Sequence, residues 1–117
     1  LIKIELHFRD FRLDLVRQLL YYRDSQVPVH PMELRLLSYI ALKNGEPVTT
    51  KELGCEVIGH KWTRRSNTVA VQMHRLREHL RFYGESDLIE SNRSNTTFLG
   101  YSFNGKVKLI TAGVQVA

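Results

Sequence analysis

Seven side chains within one short stretch carry chemistry suited to base edges and phosphates, six by hydrogen bonding and one by apolar contact. Asn67, Thr68, Val71, His74 and Arg75, flanked by Gln72 and Arg77, recur at helical spacing in the run from Ser66 to Leu80. A guanidinium can donate two parallel hydrogen bonds to guanine, a carboxamide can pair both ways with adenine, and an outward valine can meet the thymine methyl. Val69, Met73, Leu76, Leu80 and Tyr83 fall on the opposite side and form the apolar stripe a helix needs to pack on a core. The spacing therefore predicts one helix with a buried side and a polar, base-reading side. A merely solvated face would more often carry Glu/Lys pairs.

Charge is concentrated in the same place. The chain has 17 Lys and Arg against 12 Asp and Glu, a net of +5. Between His60 and Arg81, Lys61, Arg64, Arg65, Arg75, Arg77 and Arg81 face only Glu78, which is also a net of +5, so the remainder is balanced. Such a footprint suits contact with a phosphate backbone. Charge alone also suits ordinary solvated surface, since it speaks to association and not to fold.

Catalytic and metal-site chemistry is poorly served. Cys55 and His60 lack zinc-ligand spacing, and His74 and His79 lie five residues apart, off a common helical face. Gly45, Gly54 and Gly59 are isolated and form no phosphate-cradling loop. Tyr21, Tyr22, Phe82 and Tyr83 would suit base stacking, but their strand and helix periodicities favour core packing. The expectation is a chain that is not an enzyme, with no metal and no cofactor.

With 117 residues and 43% hydrophobic content, the chain suffices for one domain with its own core. A single cysteine cannot form an internal disulfide, and no apolar run reaches the roughly 18 to 20 residues needed to span a bilayer. No charged-then-apolar leader opens the chain, and the absent initiator Met suggests processing or excision from something longer. A cytoplasmic location without membrane contact is the expectation.

The elements that must hold the polar helix are legible from period. Ile2, Ile4, Leu6 and Phe8 alternate with polar residues as in a half-buried strand, and Phe11, Leu13 and Leu15 continue after a turn at Arg9-Asp10. The apolar run Leu19 to Tyr22 follows, then a turn at Asp24-Ser25-Gln26 and a short edge segment Val27-Pro28-Val29. From Pro31, Leu34, Leu37, Ile40 and Ala41 keep helical spacing, and Asn44-Gly45 stops that helix. Thr49 to Glu52 has the form of a capping box opening a second helix, with Leu53 and Val57 inward, Gly54 weakening it and Gly59 ending it. The basic connection His60 to Asn67 leads to the polar helix. Leu88 to Ser91 and Tyr101 to Phe103 then pair as a hairpin around a polar tip, Asn92 to Thr97.

Five segments in order carry a resemblance: Phe11 to Asp14, His30 to Leu37, Val48 to Gly59, Thr68 to Arg77, and Gly100 to Phe103. Together they resemble the OmpR/PhoB family of bacterial transcription-factor output domains, over roughly Ile4 to Phe103. The resemblance implies an α+β winged helix-turn-helix with an N-terminal antiparallel sheet, three helices and a C-terminal wing hairpin. Residues 1–104 would form the domain, with the sheet in 1–30, the helices in 31–83 and the wing in 88–104. Residues 105–117 are a tail or an added strand.

The resemblance also implies a docking mode on double-stranded DNA. The third helix would enter the major groove, with Asn67, Thr68, Val71, Gln72 and Arg75 at base-facing positions, the residues that helical spacing also selects. Arg65, His74 and Arg77 would hold phosphates, and Arg93 would be the wing's minor-groove cation. The loop His60, Lys61, Trp62, Thr63, Arg64 would face RNA polymerase, and a second copy of the chain would bind beside the first on tandem sites. The function implied is sequence-specific recognition in a bacterial regulator of the two-component, phosphorelay response-regulator type.

Several positions depart from the family pattern. His30 replaces the usual Thr or Ser, Ile58 a common tryptophan and Gly54 a frequent leucine. Ala70-Val71-Gln72 replaces Asp-x-His, and the wing is a few residues longer. A winged helix docking an acidic protein partner through the basic helix is the alternative from another class, and single-strand or RNA binding is a third.

Overall fold

In this computed structural model, which describes residues 2–113, the N-terminal alternation becomes a sheet whose rows can be followed from strand to strand. The strands are β1 Lys3–Phe8, β2 Phe11–Asp14, β3 Leu19–Tyr22 and β4 Ser25–Val27. A further strand near the other end of the chain, β7 Lys108–Ala112, pairs antiparallel with β1 and gives the order β4-β3-β2-β1-β7. Register places Leu109, Leu6, Leu13, Leu20 and Val27 in one line across all five strands. Because side chains alternate faces, this row and its neighbour Phe8, Phe11, Tyr22 share one face of the sheet, which is covered over β1 to β4 and open at Leu109 on β7. The stretch read as a tail or an added strand thus contains β7.

The other face is polar but not bare. Glu5 is buried there, accepting hydrogen bonds from Arg12 at 3.0 Å and His7 at 2.9 Å, with Lys3 Nζ at 3.6 Å. Burial by itself would raise its pKa, yet the hydrogen bonds from His7 and Arg12 and the charges of Lys3 and Arg12 hold it below the ordinary carboxylate value.

Two sequence readings here need correction. The turn expected at Asp24-Ser25-Gln26 is the two-residue turn Arg23-Asp24, both at positive φ (48° and 68°), while Ser25 and Gln26 lie in β4. Paired positive φ values match the strands' right-handed twist, and the backbone accepts them here at non-glycine residues. Val27 closes β4, so Pro28 lies outside the ladder, where its missing N–H costs nothing.

Helix α1 spans Pro31–Leu42 and buries Leu34, Leu36, Leu37, Ile40 and Ala41, packing on the segments Gly54–Ile58, Thr68–Phe82 and Thr97–Phe103. His30 does the work of the absent Thr or Ser. Its Nδ1 accepts from Met32 N at 3.2 Å, while the Glu33 carboxylate accepts from His30 N at 3.3 Å. Helix α2, Thr50–Leu53, continues as a π-helical turn over Gly54–Ile58. Only half of its expected capping box forms. Thr49 Oγ1 accepts from Glu52 N at 3.0 Å, but the Glu52 carboxylate turns to α1, accepting from Tyr39 Oη at 2.6 Å and pairing with Lys43 at 3.0 Å. A charged donor and a phenol together outcompete one backbone amide.

Helix α3, Thr68–Phe82, buries Val69, Met73, Leu76 and Leu80 as its period requires. After the short turn Ser86–Leu88 come β5, Ile89–Ser94, and β6, Thr97–Phe103. The wing is therefore longer than its sequence suggests: the tip read as Asn92 to Thr97 is a two-residue turn at Asn95-Thr96. Polarity misled there, because a hairpin exposed on both faces needs no apolar alternation to pair its backbone.

Candidate nucleic-acid interface

Three elements carry the residues expected to meet nucleic acid: the loop before α3, α3 itself, and the wing, whose β5 is joined to α3 by Arg77. Thr68, Val71, Gln72 and Arg75 share a face because they follow one another by three or four residues. Arg75 and His74 are exposed, and Val71 is 37% exposed. Lys61, Arg64, Arg65, Arg75 and Arg93 are exposed and have no salt-bridge partner among the described residues. Their charge is therefore available to an outside anion.

Not every predicted residue is presented alike. Asn67 is exposed at the helix N-cap, ahead of the first turn, and its side chain makes no cap hydrogen bond. The capping is done by Ser66, whose Oγ accepts from Thr68 N at 3.2 Å and lies 2.6 Å from the Thr68 hydroxyl. Thr68 is thus half-buried with its hydroxyl engaged inside the protein. Gln72 is also half-buried, and its Oε1 is buried with no hydrogen-bond partner among the described residues. The carboxamide nitrogen is the end left to meet a ligand.

The loop His60 to Arg64 divides in the same way. His60, Lys61, Thr63 and Arg64 are exposed, but Trp62 folds back onto the core beside α2. Its ring occupies the space where Gly54 lacks a side chain: a Cβ there would lie 2.2 Å from the indole Cδ2 and Cε2. Gly54 therefore serves as the seat of Trp62, a role invisible while it was read only as a weak helix residue.

Arg77 differs most from its expected role. It is half-buried, and its Nη2 donates to Ile89 O at 3.1 Å and to Ser91 Oγ at 2.9 Å. The guanidinium also lies 5.2 Å from the centre of the Tyr101 ring. One sequence signal could have revealed this: Arg77 follows Met73 by four residues and precedes Leu80 by three, at the border of the apolar stripe.

Tyr101 is the hinge pin of the wing. Its backbone exchanges hydrogen bonds with Val48 at 2.7 and 2.8 Å, which joins the wing to the segment before α2. Gly100 permits this approach, since at φ 149° a Cβ would sit 2.5 Å from Val48 O. The Tyr101 ring meets Phe98 edge to face at 4.9 Å, and Arg93 lies 5.6 Å over Phe98. Burial raises the Tyr101 phenol pKa, while the positive charges of Arg77 and Arg93 pull it down less strongly.

A second tie fixes the wing's other side. Arg9, on the β1–β2 turn, binds Glu85 at 2.5 Å, Asp87 at 2.8 Å and Asn104 O at 3.1 Å. Hydrogen bonding to Asp87 is the largest influence raising the Arg9 pKa, and the same contact lowers that of Asp87. Among the described residues, no group of three or more His, Cys, Asp or Glu is placed to hold a metal ion, and no helix is long and apolar enough to cross a membrane.

Known proteins resemble this chain in sequence and in fold. Residues 24–103 match the family described as transcriptional regulatory protein, C terminal. Response regulator SaeR of Staphylococcus epidermidis is 32% identical over 102 residues, covering 86% of this chain and 43% of SaeR. SaeR of Staphylococcus aureus is 30% identical over 100 residues, covering 85% and 42% respectively. The chain thus spans less than half the length of these relatives. The DNA-binding domain of E. coli CadC shares the fold with a TM-score of 0.75 at 18% identity, over 94% of this chain and 100% of that one. The Klebsiella pneumoniae RstA DNA-binding domain, in complex with the RstA box, gives 0.71 at 21% identity, over 85% and 95%.

Proposed function

The chain belongs to the family of transcriptional-regulator C-terminal domains, and from that membership we propose that it is a sequence-specific double-stranded DNA-binding domain acting in bacterial transcription control. The observation that carries this reading is the set of exposed cations on loop, α3 and wing, Lys61, Arg64, Arg65, Arg75 and Arg93, which have no acidic partner among the described residues. Arg75 and Val71 read base edges in the major groove, Arg to guanine and the valine methyls to thymine, and the free amide end of Gln72 donates to an acceptor there. Asn67, at the helix mouth, adds a contact to the first base pair. Thr68 acts through its methyl or through the Ser66 pair. Arg65 and His74 hold the backbone, and Arg93 enters the narrower groove as a cation.

The exposed part of the preceding loop, His60, Lys61, Thr63 and Arg64, is left free to face RNA polymerase, with Trp62 as its anchor. Two copies on tandem sites are the expected assembly, with control exercised by whatever further chain the full protein carries, as in response regulators. The site works by recognition, without a chemical step, and the setting is cytoplasmic. Selection of bound sequences from a random duplex library at about 150 mM salt, where nonspecific attraction is partly screened, tests the proposal. A recovered motif supports it. No enrichment by a folded protein refutes sequence-specific recognition and favours docking of an acidic protein partner by the basic helix.

A further inference from the structure

Duplex recognition by helix and wing together requires that the two be held at a fixed spacing, and the wing is tied to the rest of the chain through Tyr101 and Val48 and, just past β6, through Arg9 and Asn104. Four side chains form a ladder from α3 along the wing toward its tip. Arg77 leaves α3, donates from Nη2 to Ile89 O and Ser91 Oγ on β5, and lays its guanidinium over the Tyr101 ring on β6 at 5.2 Å. Tyr101 meets Phe98 at 4.9 Å, and Phe98 carries Arg93 at 5.6 Å. The two cations thus cap opposite ends of an aromatic pair, which attracts both through its ring faces. Tyr101 is anchored below by its double hydrogen bond to Val48.

We propose that Arg77 is a positioning residue: through β5 and the Tyr101–Phe98 pair it locks the wing against α3 and so sets where Arg93 meets the duplex. This rests on the DNA-binding reading above and assigns Arg77 a task that a surface phosphate contact would not have. A guanidinium is required because one planar group must donate to two acceptors and stack on a ring at the same time. Lysine keeps the charge but loses the plane that lies on Tyr101 and the fixed in-plane directions of the two Nη2 hydrogens.

Two measurements on Arg77→Lys decide the matter. In the free protein, amide hydrogen exchange across β5 and β6 should accelerate about tenfold, the effect of losing roughly one charge-assisted hydrogen bond, while α3 amides keep their protection. On the duplex recovered by selection, discrimination at base pairs under the wing should fall about tenfold, discrimination under α3 should remain, and the salt dependence should be unchanged. A residue that merely stabilised the domain would weaken both ends of the site equally. Unchanged exchange in the wing, or equal loss at both ends, would overturn the proposal. Should Arg77→Lys fail to fold, Ser91→Ala removes only one acceptor and should give a smaller change of the same pattern; no change in wing exchange would again overturn it. If the parent chain selects no duplex sequence, the DNA-binding reading fails, and the exchange measurement still decides whether Arg77 holds the wing.

Discussion

Replacing Gly54 by alanine sets two opposing effects against each other at one position. Gly54 has ordinary right-handed helical backbone, φ −61° and ψ −48°, so alanine brings no conformational strain. On helix propensity alone the change should stabilise by about 0.5–1 kcal/mol. The new Cβ, however, would stand 2.2 Å from two indole carbons of Trp62, where ordinary contact begins near 3.4 Å. The ring must move by more than an ångström, and it is packed against the core. Overpacking of this kind costs about 1–3 kcal/mol, so the clash wins, with a net loss of about 1 kcal/mol. For a domain of this size that is a fall in Tm of about 4 °C. Trp62 is the only tryptophan in the chain, so its fluorescence reports the site directly. Gly54→Ala should shift emission to the red and increase quenching by acrylamide, and pairing it with Trp62→Ala should remove most of the alanine penalty. A higher Tm with unchanged emission would refute the reasoning, because it would mean that the indole does not sit over Gly54.

Other expectations follow from single contacts. Arg75→Ala should lose about 1–3 kcal/mol of discrimination at one or two base pairs of the selected site, while random duplex is bound almost as before; equal loss on both would make Arg75 a phosphate contact. Gly100→Ala must fit a Cβ 2.5 Å from Val48 O at positive φ; it should cost about 2 kcal/mol or more in chemical denaturation and free the wing amides, and a neutral result would remove Gly100 from the wing's anchorage. Glu5, held below its ordinary value of 4.5 by its partners, contributes stability that is complete above the unfolded-state pKa and lost as pH falls through the folded one. Glu5→Gln should therefore flatten the decline of Tm below about pH 5. An identical acid slope in the two proteins would show that Glu5 carries none of that linkage.

Periodicity made much of the architecture legible. The alternation Leu6, Phe8, Phe11, Leu13 and the stripe Val69, Met73, Leu76, Leu80 each needed only neighbours in the chain to be read, and all eight are buried. The polar wing was less legible: Asn92 to Ser94 and Thr97 have strand backbone, but no buried face to impose a pattern on their side chains. Capping was half legible. Thr49 caps α2 as its spacing suggests, whereas Glu52 answers to Tyr39 and Lys43 on another helix. His30 caps α1 although its type gave little hint of it, because an imidazole nitrogen accepts an amide as a hydroxyl does.

What the sequence by itself determined is the order of elements, the apolar faces and the concentration of cations between His60 and Arg81, because each depends on residue type and on spacing along a single segment. Tertiary structure alone decided which polar residues remain free. Arg75 and Arg77 are two residues apart on one helix, yet Arg75 is open to solvent while Arg77 is bound to β5 and stacked on Tyr101. The same holds for Gly54, whose missing side chain has meaning only once Trp62 is folded into the space. Helical spacing gives a residue's direction, but whether another strand or ring stands in that direction depends on contacts made far away in the chain.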